Sequence, residues 1–369
     1  MSEFIKEINN YENFDFNLFL KSVTIEEVDL VLKKEKLDEM DFLILLSPIA
    51  VDRLEVMAEK SKQLTRQYFG YTIGIYLPLY LANYCNNDCI YCGFSKKNKI
   101  KRQKLSFKEI EQEADKIAQT GVEHILILTG EAENIAGIEY LLDAVEILKD
   151  RFSSIHVEVF PTSLENYKKL YDAGVDGITI YQETYNRELY KKVHVSGKKS
   201  DYMYRLLTPQ RAAEAGLRAV NIGVLFGIGD LIKDAFLSGL HAKFLQDRYL
   251  GTEFSLSLPR INTAEGNFKP YEVLDDVRFV QFMMAYRLFL PKIGINISTR
   301  ETATFRDNIL ELGPTKFSAG SKTEVGGYTK EDKSTAQFEI SDKRETDEVI
   351  NMLHHRGFQP VLKDWEYFV

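Results

Sequence analysis

Residues 84–94 read YCNNDCIYCGF and contain all three cysteines of the 369-residue chain, in a C-x3-C-x2-C spacing. Core cysteines placed independently would be scattered along the sequence, so this cluster predicts a group that binds all three thiolates. Cysteine thiolates are the usual ligands of iron–sulfur clusters, and a cubane ordinarily takes four of them. Three ligands therefore predict a cubane with one iron left open to another molecule.

Other interpretations of the three cysteines remain open at this point. A structural zinc site with three cysteines and one histidine needs a nearby histidine, and the nearest one, His124, lies far along the chain. A disulfide would leave an odd thiol, and nothing in the sequence indicates an oxidising compartment.

The composition excludes several classes of protein. Hydrophobic residues make up 44% and charged residues 28% of the chain, as in an ordinary globular protein. The 47 basic and 55 acidic residues give a net charge of −8, which argues against nucleic acid as a partner. The N-terminus lacks a signal-peptide pattern, and the longest uncharged apolar stretch, residues 71–84, is too short to span a membrane. We therefore expect a cytoplasmic protein without a membrane partner.

The hydrophobic pattern changes near residue 70. Before it, apolar residues at three- and four-residue spacing predict helices at 25–36, 39–46 and 51–69. After it, short apolar runs alternate with charged helical stretches, which indicates βα units and a parallel sheet. The candidate strands are 77–83, 124–129, 156–159, 177–181, 219–225, 253–258, 295–299 and 316–319, and helical patterns between them include 107–120, 137–151, 164–173, 208–215 and 273–290.

Eight βα units predict an α/β fold, a closed (β/α)8 barrel of the TIM type. The length agrees, since such barrels run from roughly 200 to over 400 residues. A six-stranded open barrel is the alternative, because the eighth strand has the weakest pattern. We expect residues 1–70 to form an N-terminal helical extension, 71–321 the barrel, and 322–369 a C-terminal extension packed on it.

In such a barrel the active site lies at the carboxyl ends of the strands, and polar residues gather there. The cysteine segment follows strand one, and five other strands lead into Gly130-Glu131, Gln182-Glu183, Gly223 to Gly229, Ser257 to Arg260, and Ser298 to Arg300. Each group also has a structural interpretation, such as a helix start, a solvated loop or a rim salt bridge of little energetic worth. Their shared position favours function, because all are expected at the end that holds the cysteines.

The cysteine spacing, with an aromatic residue before the third cysteine, resembles the signature of radical S-adenosylmethionine (SAM) enzymes. Nearly the whole chain from residue 46 onward further resembles one family, the 2-iminoacetate synthases (ThiH), which are the tyrosine lyases of thiamine biosynthesis. The matching segments include 85–89 (CNNDC), 128–131 (LTGE), 157–158 (VE), 181–185 (YQETY), 197–199 (GKK), 257–260 (SLPR), 298–301 (STRE) and Lys363-Asp364-Trp365. The related tyrosine lyases of [FeFe]-hydrogenase maturation carry additional C-terminal cysteines, and this chain has none after Cys92.

The resemblance implies a role for each matching residue. It implies that one [4Fe–4S] cluster is bound by Cys85, Cys89 and Cys92. It implies SAM contacts from Tyr91 near the adenine, Gly130 and Glu131 at the amino group, Glu183 with Gln182 near the ribose, and Arg205 at the carboxylate. It implies that the substrate carboxylate is bound by Arg260 and Arg300, with hydroxyl contacts from Ser257 and Ser298.

The resemblance also implies a reaction and partners. A reduced cluster splits SAM into methionine and a 5′-deoxyadenosyl radical, which takes a hydrogen atom from the amino group of L-tyrosine. The Cα–Cβ bond then breaks, giving 2-iminoacetate (dehydroglycine) and p-cresol. The implied protein partners are thiazole synthase (ThiG), which would receive the hydrolysis-prone product, and an electron donor such as flavodoxin or ferredoxin.

Four questions stay open at the level of sequence. Spacing alone does not separate tyrosine from tryptophan as the substrate, and a non-catalytic barrel with structural zinc is a remote alternative. The basic run from Lys96 to Lys104 is either a solvated lead-in to a helix or a docking site for an acidic electron donor. His194 is either a hydrogen-bonded structural histidine or part of the substrate pocket.

Overall fold

The centre of the molecule is a closed barrel of eight parallel strands, seen in a computed structural model that describes residues 3–330 and 334–363. The last strand, Lys316–Ser318, pairs with the first through Gly74–Tyr76, and this pairing closes the barrel. The strands are β1 Thr72–Ala82, β2 His124–Thr129, β3 Ser154–Glu158, β4 Gly177–Glu183, β5 Ala219–Val224, β6 Glu253–Ser257, β7 Gly294–Ile297 and β8 Lys316–Ser318.

Every barrel strand is followed by at least one helix, as the right-handed βα connection requires. Local sequence sets the helix ends. Ser106 and Glu109 form a reciprocal cap at the start of the helix Phe107–Ala118, and Gly174 ends the helix Leu164–Ala173 with a φ of 111°. The helices are α1 Glu3–Asn10, α2 Phe16–Ser22, α3 Ile25–Val31, α4 Glu39–Leu45, α5 Leu54–Phe69, α6 Phe107–Ala118, α7 Ile138–Leu148, α8 Leu164–Ala173, α9 Arg187–Val193, α10 Tyr202–Leu206, α11 Thr208–Glu214, α12 Leu231–Arg248, α13 Asp276–Phe289, α14 Ala303–Ile309 and α15 Thr346–His355.

The barrel interior is polar and open. Branched apolar side chains in layers usually fill the interior of such a barrel. Here polar side chains border an open space of about 1130 Å³, which we call the lumen and which includes the solvent at its mouth. Its lining includes Tyr76, His156, Thr179, Tyr181, Asn221, Ser255, Asn296 and Ser318. Hydrogen bonds link several of these groups, such as Asn221 Nδ2 to Ser257 Oγ at 2.9 Å and Ser255 Oγ to Asn221 Oδ1 at 3.0 Å. The lumen can therefore accommodate a polar organic molecule.

The segments outside the barrel are anchored to it by buried contacts. Phe42 of α4 stacks on Phe289, and a Cβ on Gly239 of α12 would lie only 2.4 Å from the Phe42 ring, so glycine is needed there. At the other end of the chain, a fully buried ion pair joins Arg306 of α14 to Asp342. A ninth strand, β9 Gln359–Val361, pairs with the first residues of β1.

The structure confirms the (β/α)8 barrel and all eight strands, and the six-stranded alternative is wrong. Strand β1 begins at Thr72, earlier than expected, because its first residues pair with β8 and β9. The domain boundaries at residues 70 and 321 stay predictions, and the expected C-terminal extension includes residues 331–333 and 364–369, which lie outside the described residues, as do Asp364 and Trp365 of the matching segment. Among the described residues, no helix is both long enough and apolar enough to cross a membrane.

Candidate active site

The three cysteines line one cavity at the carboxyl end of the barrel. Their segment follows β1, and Asp88–Cys89 pairs with His194–Ser196 in a short antiparallel ladder. All three thiols are free. All three border the same cavity together with Glu131 and Arg205, and we call this space the cysteine cavity. The structure thus brings the cysteines together with Glu131 and Arg205, and the roles of these residues stay predictions.

Two side chains that follow the cysteines in the sequence hold the segment of residues 84–94, which we call the cysteine loop. The guanidinium of Arg102 donates to the carbonyl oxygens of Asn83, Phe94 and Ser95 at 2.6–2.8 Å. The amide of Asn98 donates to the carbonyl oxygens of Cys92 and Gly93 at 3.2 and 3.0 Å. These bonds satisfy main-chain acceptors that a loop would otherwise leave to water, so the polypeptide itself fixes the loop.

Gly130 brings the cysteine loop against the end of β2. A Cβ at this position would lie 2.3 Å from the carbonyl oxygen of Tyr84, a distance that no side chain tolerates. The amide of Asn86 donates to the carbonyl oxygen of Glu131 at 3.1 Å. The cysteine loop therefore contacts the end of β2 on both sides of the first cysteine, at Tyr84 through Gly130 and at Asn86 through Glu131.

A buried group of charges lies beside the cysteines. Arg205 Nη1 donates to Glu131 Oε1 at 3.0 Å, its Nη2 lies 3.5 Å from Glu183 Oε1, and its Nε donates to the carbonyl of Tyr181 at 2.6 Å. Lys199 Nζ donates to the same Glu183 oxygen at 2.7 Å. Two cations and two carboxylates therefore balance in this group.

The electrostatic environment favours the ionised forms of Glu183 and Arg205. Burial alone would raise the pKa of Glu183, but the charges of Lys199 and Arg205 hold that pKa below its ordinary value. Burial opposes the charge of Arg205, yet Glu131 and other neighbours raise its pKa above the usual value. The second oxygen of Glu131 accepts a hydrogen bond from Asn87 Nδ2 at 2.6 Å. The cavity thus presents paired, fixed charges of both signs.

Glu183 adopts a backbone conformation that side chains rarely take. Its φ is 71°, and the pairing of β4 with β5 shifts register between Tyr181 and Glu183. Such a conformation costs on the order of 1–3 kcal/mol and is found mostly at functional sites. It places the Glu183 carboxylate in the cavity, next to Lys199.

Tyr91 and His194 form a connected pair. Tyr91 lines the cavity, and its hydroxyl lies 2.7 Å from His194 Nε2. His194 Nδ1 lies 2.8 Å from the carbonyl oxygen of Tyr190, and the ring is buried. His194 lines neither this cavity nor the lumen, so the structural interpretation of this histidine is the one that the geometry favours.

At the lumen side, the structure separates the two predicted arginines. Arg300 lines both the cysteine cavity and the lumen, and its guanidinium carbon lies 3.4 Å from the ring centre of Phe338. Within the described parts of the chain, no carboxylate forms an ion pair with it. Ser257 and Ser298 line the lumen. These three residues therefore lie where a substrate could reach them.

Two predicted site residues are not brought to either space. Arg260 forms ion pairs with Glu301 and with Asp276 at 2.7 Å and lies over the rings of Phe279 and Phe305. These contacts hold its guanidinium at the rim of the barrel. Of the two arginines predicted to bind the substrate, only Arg300 lies at the lumen. Gln182 is buried on the outer side of β4, because neighbouring side chains alternate between the faces of a strand.

The structure adds residues that the sequence did not single out. Lys199, Asn87 and Glu158 line the cysteine cavity, and Phe338 reaches it from the segment that follows β8. The matching segments of the sequence contained Asn87, Glu158 and Lys199, and that was the available signal. Nothing in the sequence indicated Phe338.

The residues present fit an iron–sulfur cluster and SAM. Three free thiols around one cavity are the donor set of a cubane with an open iron. The neighbouring Arg205–Glu131 pair suits the carboxylate and ammonium groups of an amino acid. Among the described residues, no three His, Cys, Asp or Glu side chains lie close enough together to hold one single metal ion, as a structural zinc site would require.

Comparisons with known proteins agree with this geometry. Residues 79–235 match the model of the radical SAM superfamily, and residues 257–359 match that of the biotin and thiamin synthesis associated domain. The 2-iminoacetate synthase of Salmonella typhimurium (strain LT2) is 39% identical over 99% of this chain and 97% of its own. That of Escherichia coli (strain K12) is 38% identical over 96% of this chain and 94% of its own.

Solved structures share the architecture. The crystal structure of HydG, a maturase of the [FeFe]-hydrogenase, has a TM-score of 0.90 and 30% identity, and covers 98% of this chain and 81% of that chain. The crystal structure of methylornithine synthase (PylB) has a TM-score of 0.75 with 21% identity, and covers 91% of this chain and 97% of that chain. The PylB likeness shows the fold.

Proposed function

The chain belongs to the 2-iminoacetate synthase family of radical SAM enzymes, and we propose that it cleaves the Cα–Cβ bond of L-tyrosine to 2-iminoacetate and p-cresol for the thiazole moiety of thiamine. Its cofactors are one [4Fe–4S] cluster and SAM, which when bound supply a 5′-deoxyadenosyl radical. The observation that carries the proposal is the continuity of the two spaces. Glu158, Tyr181 and Arg300 line both the cysteine cavity and the lumen.

At the cysteine end, the chain's own residues bind and orient the cofactors. Cys85, Cys89 and Cys92 would hold the cluster. Glu131 and Arg205, joined at 3.0 Å, offer opposite charges to the ammonium and carboxylate groups of SAM, so both ends of this zwitterion find a partner.

The rest of the SAM molecule would lie along the same cavity. Tyr91 would pack near the adenine, with its hydroxyl held by His194. Glu183 and Lys199 would lie near the ribose, and Gly130 allows the close approach of the main chain. Gln182 has no contact to offer, because its side chain lies on the outer face of β4.

At the lumen end, Arg300 would bind the substrate carboxylate. A planar guanidinium can form two parallel hydrogen bonds to a carboxylate, and Phe338 supports this guanidinium from one side. Ser257 and Ser298 would add hydroxyl contacts. Holding the amino group towards the cysteine cavity places the reacting nitrogen where the radical forms and keeps water away from it.

The protein partners and the location are also part of the proposal. Lys96, Lys97, Lys99 and Lys101 are exposed beside the cysteine loop and offer a basic surface to an acidic electron donor such as flavodoxin or ferredoxin. Thiazole synthase (ThiG) would receive 2-iminoacetate, which hydrolyses readily. A cytoplasmic location would keep the cluster and its thiols reduced.

An anaerobic assay tests the function. The protein is reconstituted with iron and sulfide and incubated with SAM, dithionite and L-tyrosine, and 5′-deoxyadenosine and p-cresol are then measured. We expect both products from the wild type and neither from Cys89→Ala, which loses a cluster ligand. An indole product from L-tryptophan, with no p-cresol from L-tyrosine, would overturn the assignment of the substrate.

A further inference from the structure

Glu158 is the one acidic residue lining the cysteine cavity for which, among the residues the structure describes, no hydrogen bond or ion pair is found. The other acidic residues there have partners: Glu131 pairs with Arg205, and Glu183 with Lys199. Glu158 ends β3, is only partly exposed, and lines both the cysteine cavity and the lumen. A largely buried carboxylate without a partner is costly, so a cationic ligand is the natural complement of this position.

The position of Glu158 relative to Arg300 indicates which ligand. Both residues line both spaces, so one negative and one positive side chain border the passage between the proposed radical site and the substrate lumen. An α-amino acid is a zwitterion with the same two charges. With its carboxylate bound to Arg300, its ammonium group would face Glu158.

We propose that Glu158 binds the ammonium group of the substrate and accepts one of its protons, so that the nitrogen faces the cysteine cavity as a neutral amine. This inference rests on the proposed function. In the step, one N–H bond breaks, one O–H bond forms on the Glu158 carboxylate, and no electron is transferred. The hydrogen atom is then taken from an uncharged NH2 group, which avoids forming a radical cation in a buried site.

The groups around Glu158 make it a base suited to neutral pH. Burial raises its pKa to about 7, Glu183 adds to the increase, and Arg300, Lys199 and Arg205 oppose it. Burial and then the charge of Glu158 raise the pKa values of Tyr76, Tyr80 and Tyr181, so these three hydroxyls belong to the surroundings of Glu158. A base whose pKa lies near the working pH transfers protons most effectively.

A binding experiment isolates the contact with the amino group. Reconstituted enzyme with S-adenosylhomocysteine is dialysed to equilibrium against L-tyrosine or against 3-(4-hydroxyphenyl)propionate, which lacks the amino group. A charge-assisted hydrogen bond corresponds to a preference of about 10- to 150-fold for tyrosine. The Glu158→Gln variant should lose most of this preference while its iron content and its SAM affinity stay at the wild-type values.

The pH dependence tests the proton transfer. For the wild type, kcat/KM for tyrosine should rise with pH through about 7 and level off, because only the ionised carboxylate accepts a proton. For Glu158→Gln, p-cresol formation should be strongly reduced at pH 7 and should continue to rise at alkaline pH, where free amine is supplied by the solution. Glu158→Asp, which keeps the carboxylate, should recover part of the activity.

Glu253→Gln is the matched control, since Glu253 lines the opposite end of the same lumen and is largely exposed. It should keep both the tyrosine preference and the wild-type pH profile. If Glu158→Gln keeps the preference for tyrosine or the wild-type pH profile, or if it loses SAM affinity instead, this inference is wrong. The proposed function is not affected by that result. A wild type that cleaves SAM but makes no p-cresol from tyrosine overturns the proposed function and this inference with it.

Discussion

Replacing Arg205 with methionine should destabilise the folded protein by about 3–5 kcal/mol, the usual cost of removing one partner from a buried ion pair. The side chain of Arg205 is 5% exposed, and those of Glu131 and Glu183 are 14% and 7% exposed. The variant leaves two carboxylates with the single cation of Lys199. It also removes the donor at 2.6 Å from the carbonyl oxygen of Tyr181, and an unsatisfied buried carbonyl contributes about 1–3 kcal/mol to that cost.

The charge balance of this group predicts a partial rescue. Arg205→Met combined with Glu131→Gln leaves one cation and one carboxylate, so the double variant should be more stable than the sum of the two single losses. Urea unfolding of the reconstituted protein under anaerobic conditions, followed by far-UV circular dichroism, measures each free energy of unfolding. SAM affinity of Arg205→Met should fall about 10- to 150-fold, as expected for a lost charge-assisted hydrogen bond.

A neighbouring exposed pair serves as the control. Lys198 pairs with Glu133 at 2.8 Å, but its side chain is 80% exposed, and such pairs contribute about 0–1 kcal/mol. Lys198→Met should therefore change the free energy of unfolding by no more than that. Two results would contradict this account of the buried charges: a loss of unfolding free energy in Arg205→Met no larger than in Lys198→Met, or strictly additive losses in the double variant.

Three further predictions concern the loop, the substrate and the C-terminal extension. Gly130→Ala must push the main chain away from the cysteine loop, so iron content and SAM binding should both fall, whereas Gly251→Ala, with no atom within 4 Å of the new methyl group, should change neither. Arg300→Lys keeps the charge but loses the planar fork, so SAM should still be cleaved with dithionite while p-cresol, measured by chromatography, falls at least about tenfold. Asp342→Ala leaves Arg306 fully buried without its carboxylate, so urea unfolding should show a loss of about 3–5 kcal/mol, and a loss below about 1 kcal/mol would contradict this account.

The elements that the sequence predicts best are those that local patterns define. Strand β2 has the predicted bounds, 124–129, because a continuous apolar run forms a strand that is buried on both faces. Helix α8 also has its predicted bounds, 164–173, because Ser163 caps its start and Gly174 ends it. The meeting of the cysteines with Glu131 follows from the barrel, since the strand ends of one barrel share one face. Arg205 lies on α10, and only the resemblance to the family indicated it.

The features of the site that the sequence did not predict depend on contacts between distant parts of the chain. Arg260 is held at the rim by Glu301, and nothing near either residue in the sequence shows that they pair. Phe338 supports Arg300 from a segment that no barrel pattern includes. Glu158 belongs to a matching segment, but its lack of a partner is a property of the folded structure and not of the sequence.

The hydrogen bonds from Arg102 and Asn98 to the cysteine loop have a consequence for the folded protein when it is exposed to oxygen. Small zinc domains unfold when they lose their metal. Here side chains of the polypeptide hold the loop, so the protein should stay folded when oxygen destroys the iron–sulfur cluster. We expect a bleached molecule to remain folded, to resist proteolysis, and to be repaired by delivery of new iron and sulfide without synthesis of a new chain.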